Sequence, residues 1–221
     1  MQNTIINGPN DAKVIFILAH GAGAGMDTPF MNQVAEGLAS YGAKVIRFEF
    51  PYMTKRRQTN TKRPPDRAPV LLDYFRQIIS THTSDQPDNS LIIGGKSMGG
   101  RIASMIAAEE DAKNDVENDN TTNLKISGCV CLGYPFHPPA KLDKLRTEHF
   151  KTLKTPTLIC QGERDNFGTK DEVPAYNLPA IIEMFWLGDG DHSFKPRVKS
   201  GRTIEQNIGV ACEEIARKFI K

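Results

Sequence analysis

Short runs of apolar residues alternate along the chain with longer segments in which apolar residues recur every three or four positions. The short runs are rich in β-branched residues and bounded by turn residues, which is typical of buried strands, whereas the longer segments have the spacing of amphipathic helices. The predicted strands are residues 14–19, 44–50, 91–94, 126–132, 156–160 and 181–187. The predicted helices run from Asp27 or Thr28 to about 41, over 68–81, from 98 to about 109, and from about 203 to 220.

The predicted strands and helices alternate, and most of the strands are apolar throughout. Continuous apolar strands are typical of parallel sheets that helices cover on both faces. We therefore expect an α/β fold with an open, mostly parallel sheet between two layers of helices. No repeat or linker interrupts the sequence, so residues 1–221 are expected to form a single domain.

Two segments lack apolar periodicity and are predicted to be exposed loops. Residues 55–67 are basic, and residues 109–123 contain six acids against one lysine. The basic segment follows a predicted strand, so it is expected to lie near a site at the edge of the sheet. Its Arg56 and Arg57 are candidates for binding a carboxylate or phosphate on a substrate, and a solvated charged loop is the other interpretation.

Composition narrows the function further. The formal net charge is +2, which argues against a dedicated nucleic-acid binder. No apolar run approaches the roughly 20 residues of a membrane-spanning helix, and the N-terminus lacks the pattern of a secretory signal. Cys129 and Cys131 share one face of a predicted strand, where core packing is favoured over a zinc pair. We therefore expect a cytoplasmic protein with no membrane or nucleic-acid partner and no metal.

The strongest local motif is GKSMGG at residues 95–100. It follows a predicted strand and opens a predicted helix, which is the context of a nucleophile elbow. In such a turn the serine, here Ser97, lies at a strained apex, and the residues two before and two after it have no room for side chains. Gly95 and Gly99 suit those two positions. A simple tight turn is the alternative interpretation.

A serine nucleophile needs a base, and the base needs an acid that orients it. His192 follows the last predicted strand, and Asp165 follows the strand before it. Both therefore lie past the carboxyl ends of strands, where ligands bind in open α/β sheets. The order Ser97, Asp165, His192 is that of the α/β-hydrolase triad. Three other acids in these loops remain alternatives to Asp165, namely Glu163, Asp189 and Asp191.

The glycine-rich segment HGAGAG at residues 20–25 follows the first predicted strand. Its spacing does not match the dinucleotide-binding fingerprint, because the third glycine comes too early. It fits the oxyanion loop of hydrolases, in which a backbone N–H just after His-Gly acts together with that of the residue after the nucleophile. We assign Met98 and either Ala22 or Gly23 to this role, and His20 to bracing the loop.

The remaining histidines are weaker candidates. His82 and His149 lie in polar or charged helical segments and are expected to be solvated. His137 lies among prolines just past a predicted strand, where lining a substrate pocket and packing are equally good interpretations.

Taken together, the motifs of residues 20–21 and 95–101 with Asp165 and His192 resemble the α/β-hydrolase superfamily. Three further segments resemble the small KANL/Tex-type hydrolase-like family, a relative of the dienelactone hydrolases: FPYM at 50–53, GYPFHPP at 133–139 and GDHSF at 190–194. The resemblance extends from about residue 13 to 219. It implies an α/β-hydrolase fold with little or no lid domain. Dienelactone hydrolases usually have a cysteine where this chain has Ser97.

These observations favour a serine hydrolase that cleaves a small ester or thioester without metal or organic cofactor. Ser97 would attack, His192 would accept its proton, and Asp165 would orient the imidazole. The alternative is a non-catalytic interaction module on a hydrolase fold, with the two charged segments as partner surfaces. Nucleic-acid binding through the basic segment is disfavoured by the small net charge.

Overall fold

A central sheet organises the molecule, and the computed structural model describes residues 3–84, 88–114 and 124–221. Within those ranges the sheet has seven strands. They are β1 (Thr4–Asn7), β2 (Val14–Ala19), β3 (Lys44–Phe48), β4 (Ser90–Lys96), β5 (Gly128–Leu132), β6 (Thr157–Gly162) and β7 (Ile182–Leu187). Across the sheet their order is β1–β3–β2–β4–β5–β6–β7, and only β1 is antiparallel to its neighbour.

Helices cover both faces of the sheet. They are α1 (Pro29–Ser40), α2 (Pro51–Thr59), α3 (Ala68–Thr83), α4 (Met98–Asn114) and α5 (Ile204–Phe219). The side chain of Thr28 caps α1, and Thr203 with Gln206 forms a capping box at the start of α5. Residues of α3 and α4 pack in one apolar core, and residues of α1 and α5 pack in the other. The predicted α/β fold is therefore confirmed.

The two charged segments differ from the predicted loops. Residues 55–59 are the second half of α2, which Pro51 starts and in which only Tyr52 and Met53 are buried. A helix with so few buried positions leaves no apolar periodicity to recognise. Residues 109–114 continue α4, and residues 115–123 lie outside the described ranges.

Strand β1 was not predicted, because three of its four residues are only partly buried, Ile6 is exposed, and the strand lies at an edge of the sheet. The opposite edge is β7, which pairs with β6 along its whole length. β7 contains Trp186, the only tryptophan of the chain, opposite Gln161. The four cysteines are buried and unpaired, as core packing predicts.

Candidate active site

Ser97 lies at the sharp turn between β4 and α4. Its φ is +52°, a left-handed conformation that a non-glycine residue rarely adopts. Its N–H donates to the carbonyl of Leu132 at 2.9 Å, which ties the turn to β5. A Cβ on Gly99 would lie 2.6 Å from the carbonyl oxygens of both Ala19 and His20, so only glycine lets α4 approach β2 this closely.

Three side chains from separate loops meet at this turn. Nε2 of His192 lies 2.9 Å from Oγ of Ser97. Nδ1 of His192 lies 2.7 Å from Oδ2 of Asp165, which is fully buried. A carboxylate accepts hydrogen bonds, so this contact assigns the imidazole proton to Nδ1 and leaves Nε2 free to accept from the serine hydroxyl.

Buried donors fix the carboxylate of Asp165. Nε2 of Gln161 donates to Oδ2 at 2.9 Å, and the N–H of Phe167 donates to Oδ1 at 2.9 Å. The Gln161 side chain is itself fixed, because its Oε1 accepts from the N–H of Tyr134 at 2.7 Å. The ring of Phe167 also packs against His192, with centroids 4.3 Å apart. Sequence reasoning missed Gln161, because a glutamine inside a buried strand has no motif that marks it.

The three alternative acids make contacts within their own loops. Asp189 pairs with Arg164 and Arg197, and these cations hold the pKa of Asp189 low, at about 2. Asp191 accepts from the N–H groups of Ser193 and Lys195. Glu163 accepts from the N–H of Asp189 and from Lys170. These acids shape the loop that presents His192, and none of these contacts involves its ring.

Lys96, the residue before the serine, is a feature that the sequence analysis did not single out. Its Nζ donates to the carbonyl of His192 at 2.5 Å and lies 5.6 Å and 5.8 Å from the ring centroids of Phe30 and Phe194. Burial lowers the pKa of Lys96 to about 8, and the charges of Asp165 and Asp191 oppose that shift. The ammonium group therefore links the turn of the serine to the loop of the histidine.

The glycine-rich segment lies against the serine turn. A Cβ on Gly21 would be 3.7 Å from the Cβ of Ser97. His20 braces this segment from behind, because its Nδ1 donates to the carbonyl of Gly21 at 2.7 Å and its Nε2 accepts from the N–H of Phe50 at 3.1 Å. Burial lowers the pKa of His20 to about 4, so the ring stays neutral and can keep both bonds.

Tyr52 orients two peptide groups of the same segment. Its hydroxyl lies 3.3 Å from the carbonyl oxygen of Gly21 and 3.1 Å from that of Ala22. In a planar trans peptide the N–H points opposite to the carbonyl, and the described residues contain no cis peptide. The N–H groups of Ala22 and Gly23 therefore point away from Tyr52. Met98 is the first residue of α4, whose first N–H groups have no acceptor within the helix.

A cavity of about 510 Å³ opens over Ser97 and His192. Apolar side chains form much of its wall, including Phe30, Met31 and Phe167. The segment from Gly21 to Gly25, Lys96 and Ser193 also line the cavity. The cavity is large enough for a small organic molecule with an apolar portion.

The other predicted site residues lie apart from this cavity. His137 is buried, with its Nδ1 2.9 Å from the carbonyl oxygen of Pro138, and it packs against Tyr176. It is absent from the cavity wall, which favours the packing interpretation. His149 is not solvated as predicted, because its Nε2 lies 2.8 Å from Oγ of the buried Ser104.

The two arginines of the basic segment differ from each other. Arg57 pairs with Asp27 and with the buried Glu49, so its charge is balanced within the protein. Arg56 donates to the carbonyl of Gly23 at 3.2 Å. Both lie beside the glycine-rich segment, and neither lines the cavity over Ser97.

The fold and this constellation define the class of α/β hydrolases. The family model of the alpha/beta hydrolase domain matches residues 12–221, and the chain belongs to that family. This family model does not single out the KANL/Tex-type family that the sequence resembles.

Solved structures agree with the fold. An alpha-beta serine hydrolase homologue from Coxiella burnetii has a TM-score of 0.69 and 16% identity, over 97% of this chain and 90% of that chain. A serine hydrolase without lid from Xanthomonas campestris has a TM-score of 0.70 and 16% identity, over 99% of this chain and 89% of that chain. Dienelactone hydrolase from Anabaena variabilis has a TM-score of 0.65 and 18% identity, over 99% of this chain and 92% of that chain. At these identities the likeness establishes the fold alone.

Within the described ranges, no helix is long and apolar enough to cross a membrane. Among the same residues, no three His, Cys, Asp or Glu side chains gather as a metal site requires.

Proposed function

We propose that the protein is a serine hydrolase that cleaves a small carboxylic ester or thioester. The observation that carries this proposal is the continuous chain of hydrogen bonds from Ser97 through His192 to the buried Asp165. A hydroxyl bonded to a neutral imidazole, which is bonded in turn to a carboxylate, is the arrangement that activates a serine for attack on a carbonyl.

The reaction then proceeds in two balanced steps. Oγ of Ser97 attacks the carbonyl carbon while Nε2 of His192 accepts the hydroxyl proton, and the tetrahedral intermediate collapses to an acyl-enzyme as His192 protonates the leaving alcohol or thiol. A water molecule next attacks the acyl carbon and gives its proton to His192. Ser97 recovers that proton when the carboxylic acid leaves. The carboxylate of Asp165 accepts the Nδ1 hydrogen bond and stabilises the imidazolium in both steps.

The developing oxyanion is assigned to backbone donors. The N–H of Met98 at the start of α4 and the N–H of Ala22 or Gly23 are the proposed pair, which is supported by the way Tyr52 orients the second group. Removing one such donor in other hydrolases raises the barrier by roughly 3 kcal/mol. Ala22→Pro removes one candidate donor and is expected to slow acylation by about a hundredfold.

Fluorophosphonate labelling read by intact mass tests the proposal directly. We expect one adduct on the wild type, none on Ser97→Ala and a strongly slowed reaction on His192→Ala. Ser193→Ala is the matched control, because this exposed serine lines the same cavity and, within the described residues, its hydroxyl makes no hydrogen bond to the ring of His192. No adduct on folded wild type would overturn the proposal and make a non-catalytic interaction module the leading function.

A further inference from the structure

A second cavity adjoins the one over Ser97. Its volume is about 440 Å³, and it shares Gly23, Ala24 and Gly25 with the first cavity as a common wall. The first cavity is mostly apolar around the serine, whereas the second is lined by Arg56, Arg57 and Lys62. A molecule that extends along this wall would therefore meet an apolar surface at one end and cations at the other.

The charges of the second cavity are not equivalent. Arg57 is balanced by Asp27 and Glu49, and its contact with Glu49 holds it against Gly25, where a Cβ would collide with its guanidinium group. In the described part of the chain, no ion pair joins Arg56 or Lys62 to a carboxylate. Two cations without balancing acids in the wall of a cavity favour an anionic ligand.

We propose that the substrate is an ester or thioester that carries an anionic group, and that Arg56 and Lys62 bind this group while the apolar cavity holds the chain that links it to the carbonyl. This inference rests on the proposed hydrolase function. Carboxylate and phosphate share the chemistry that these side chains recognise, and Arg57 is a structural brace of the wall instead of a ligand.

A third cavity supplies a control. Lys55 and Arg63 belong to the same basic segment but line a separate cavity of about 480 Å³. No residue in its wall is shared with the cavity over Ser97. Replacing these two cations changes the net charge by the same amount as replacing Arg56 and Lys62, so long-range attraction of an anion is matched between the pairs.

The test compares Arg56→Gln/Lys62→Gln with Lys55→Gln/Arg63→Gln. Each protein is assayed with the 4-nitrophenyl monoester of suberic acid, whose acyl chain ends in a carboxylate, and with the same ester capped as a methyl ester. A second arm uses acetate esters of a phosphate-bearing alcohol and of its uncharged counterpart. The readout is the ratio of kcat/KM for the charged substrate to kcat/KM for the uncharged one. Loss of the Arg56 bond to Gly23 can change the wall, but such a change affects both substrates and cancels in the ratio.

We expect that ratio to fall about tenfold in the Arg56 and Lys62 variant for at least one arm. The arm that responds identifies carboxylate or phosphate as the group recognised. We expect the ratio to stay within about twofold of wild type in the control variant. Equal ratios in all three proteins for both arms, or an equal fall in both variants, would overturn the inference.

A binding arm separates this inference from the hydrolase proposal. In a Ser97→Ala background, which cannot turn over, calorimetry measures suberic acid monomethyl ester against the dimethyl ester, and the phosphate-bearing acetate ester against its uncharged counterpart. We expect a charged ligand to bind more tightly than its uncharged counterpart. This preference should be lost when Arg56 and Lys62 are replaced and kept when Lys55 and Arg63 are replaced. Charge-dependent binding without labelling of Ser97 in the wild type would overturn the proposed hydrolase function and leave an anion-binding site. Labelling of Ser97 without any preference for charged ligands or substrates would support the hydrolase function and overturn the inference about an anionic group.

Discussion

At the scale of single residues, Lys96 places a positive charge against two phenylalanine rings and donates a hydrogen bond to the carbonyl of His192. The folded state disfavours that charge, because its pKa is about 8 against 10.5 for an ordinary lysine. Because a buried ammonium group is costly, we expect Lys96 to have a role at the site, and its bond to the carbonyl of His192 predicts that it positions the loop of the histidine.

Lys96→Met tests this role through two independent readouts. Between pH 8 and 10.5 the unfolded wild type binds a proton that the folded state has released. The free energy of unfolding of wild type should therefore rise with pH relative to the variant, by up to about 3 kcal/mol. Denaturant melts across this range measure it. Serine labelling should be slower in the Met variant and largely restored in Lys96→Arg, which keeps the donor.

A labelling rate that Lys96→Met leaves unchanged would assign Lys96 to packing alone. A difference in stability that does not vary with pH would show that its charge is solvated.

At the scale of elements, the first turn of α2 supports the glycine-rich segment, since Tyr52 contacts two of its carbonyl groups. Tyr52 and Ala22 are 30 residues apart in the sequence. Helix α2 therefore orients the N–H groups of a distant segment, those of Ala22 and Gly23.

Tyr52→Phe should lower kcat about tenfold and leave KM nearly unchanged, because it frees peptide groups that act on the transition state more than on the bound ester. Steady-state kinetics on a neutral 4-nitrophenyl ester measure both constants. Tyr74→Phe is the control, since Tyr74 packs against the same Phe50 ring and its hydroxyl makes no hydrogen bond within the described residues. A rise in KM alone would show that Tyr52 shapes the pocket instead.

The close packing of α4 on β2 gives a stability prediction. Gly99→Ala should lower the free energy of unfolding by about 2–4 kcal/mol, because its methyl group would meet two backbone oxygens that cannot move independently of the sheet. Gly209→Ala in α5 is the counterpart, since a Cβ there meets nothing within 4 Å and should stabilise the helix by up to about 1 kcal/mol. Chemical denaturation of both variants measures these opposite signs.

At the scale of the whole molecule, two neutral histidines couple the fold to pH. Burial lowers the pKa of His20 and of His149 to about 4, from 6.5. Between pH 6.5 and 4 the unfolded chain therefore binds more protons than the folded one, and stability falls as the pH is lowered through this window. Each histidine contributes a slope of up to about 1.4 kcal/mol per pH unit.

His149→Gln should reduce that slope by about one proton, because glutamine can still bond Ser104 but does not titrate. Unfolding midpoints in urea at pH 4.5 to 7 measure the slope. His82 is half-buried and burial lowers its pKa as well, but it is less buried than His149, so His82→Gln should reduce the slope by less. An unaltered slope in His149→Gln would mean that this ring has the same pKa in the folded and unfolded states.

The parts of the molecule that sequence reasoning predicted are those with local causes. The strands of the sheet centre are continuous apolar runs, and the turn at Ser97 needs glycines at fixed spacing, so both are visible in a few consecutive residues. The roles of Gln161, Tyr52 and Lys96 were not predicted, because each depends on a partner brought near by the fold. Strand β1 and helix α2 were missed since they bury few side chains.

The position of Trp186 on β7 provides an intrinsic fluorescent probe of this edge of the sheet. The single indole of the chain lies on the edge strand that leads into the loop of His192. We expect its emission during refolding to follow the docking of that strand, and we expect reactivity of Ser97 with a fluorophosphonate to require the loop as well. The delay between the two signals would therefore measure the time between assembly of the sheet and placement of the His192 side chain beside Ser97.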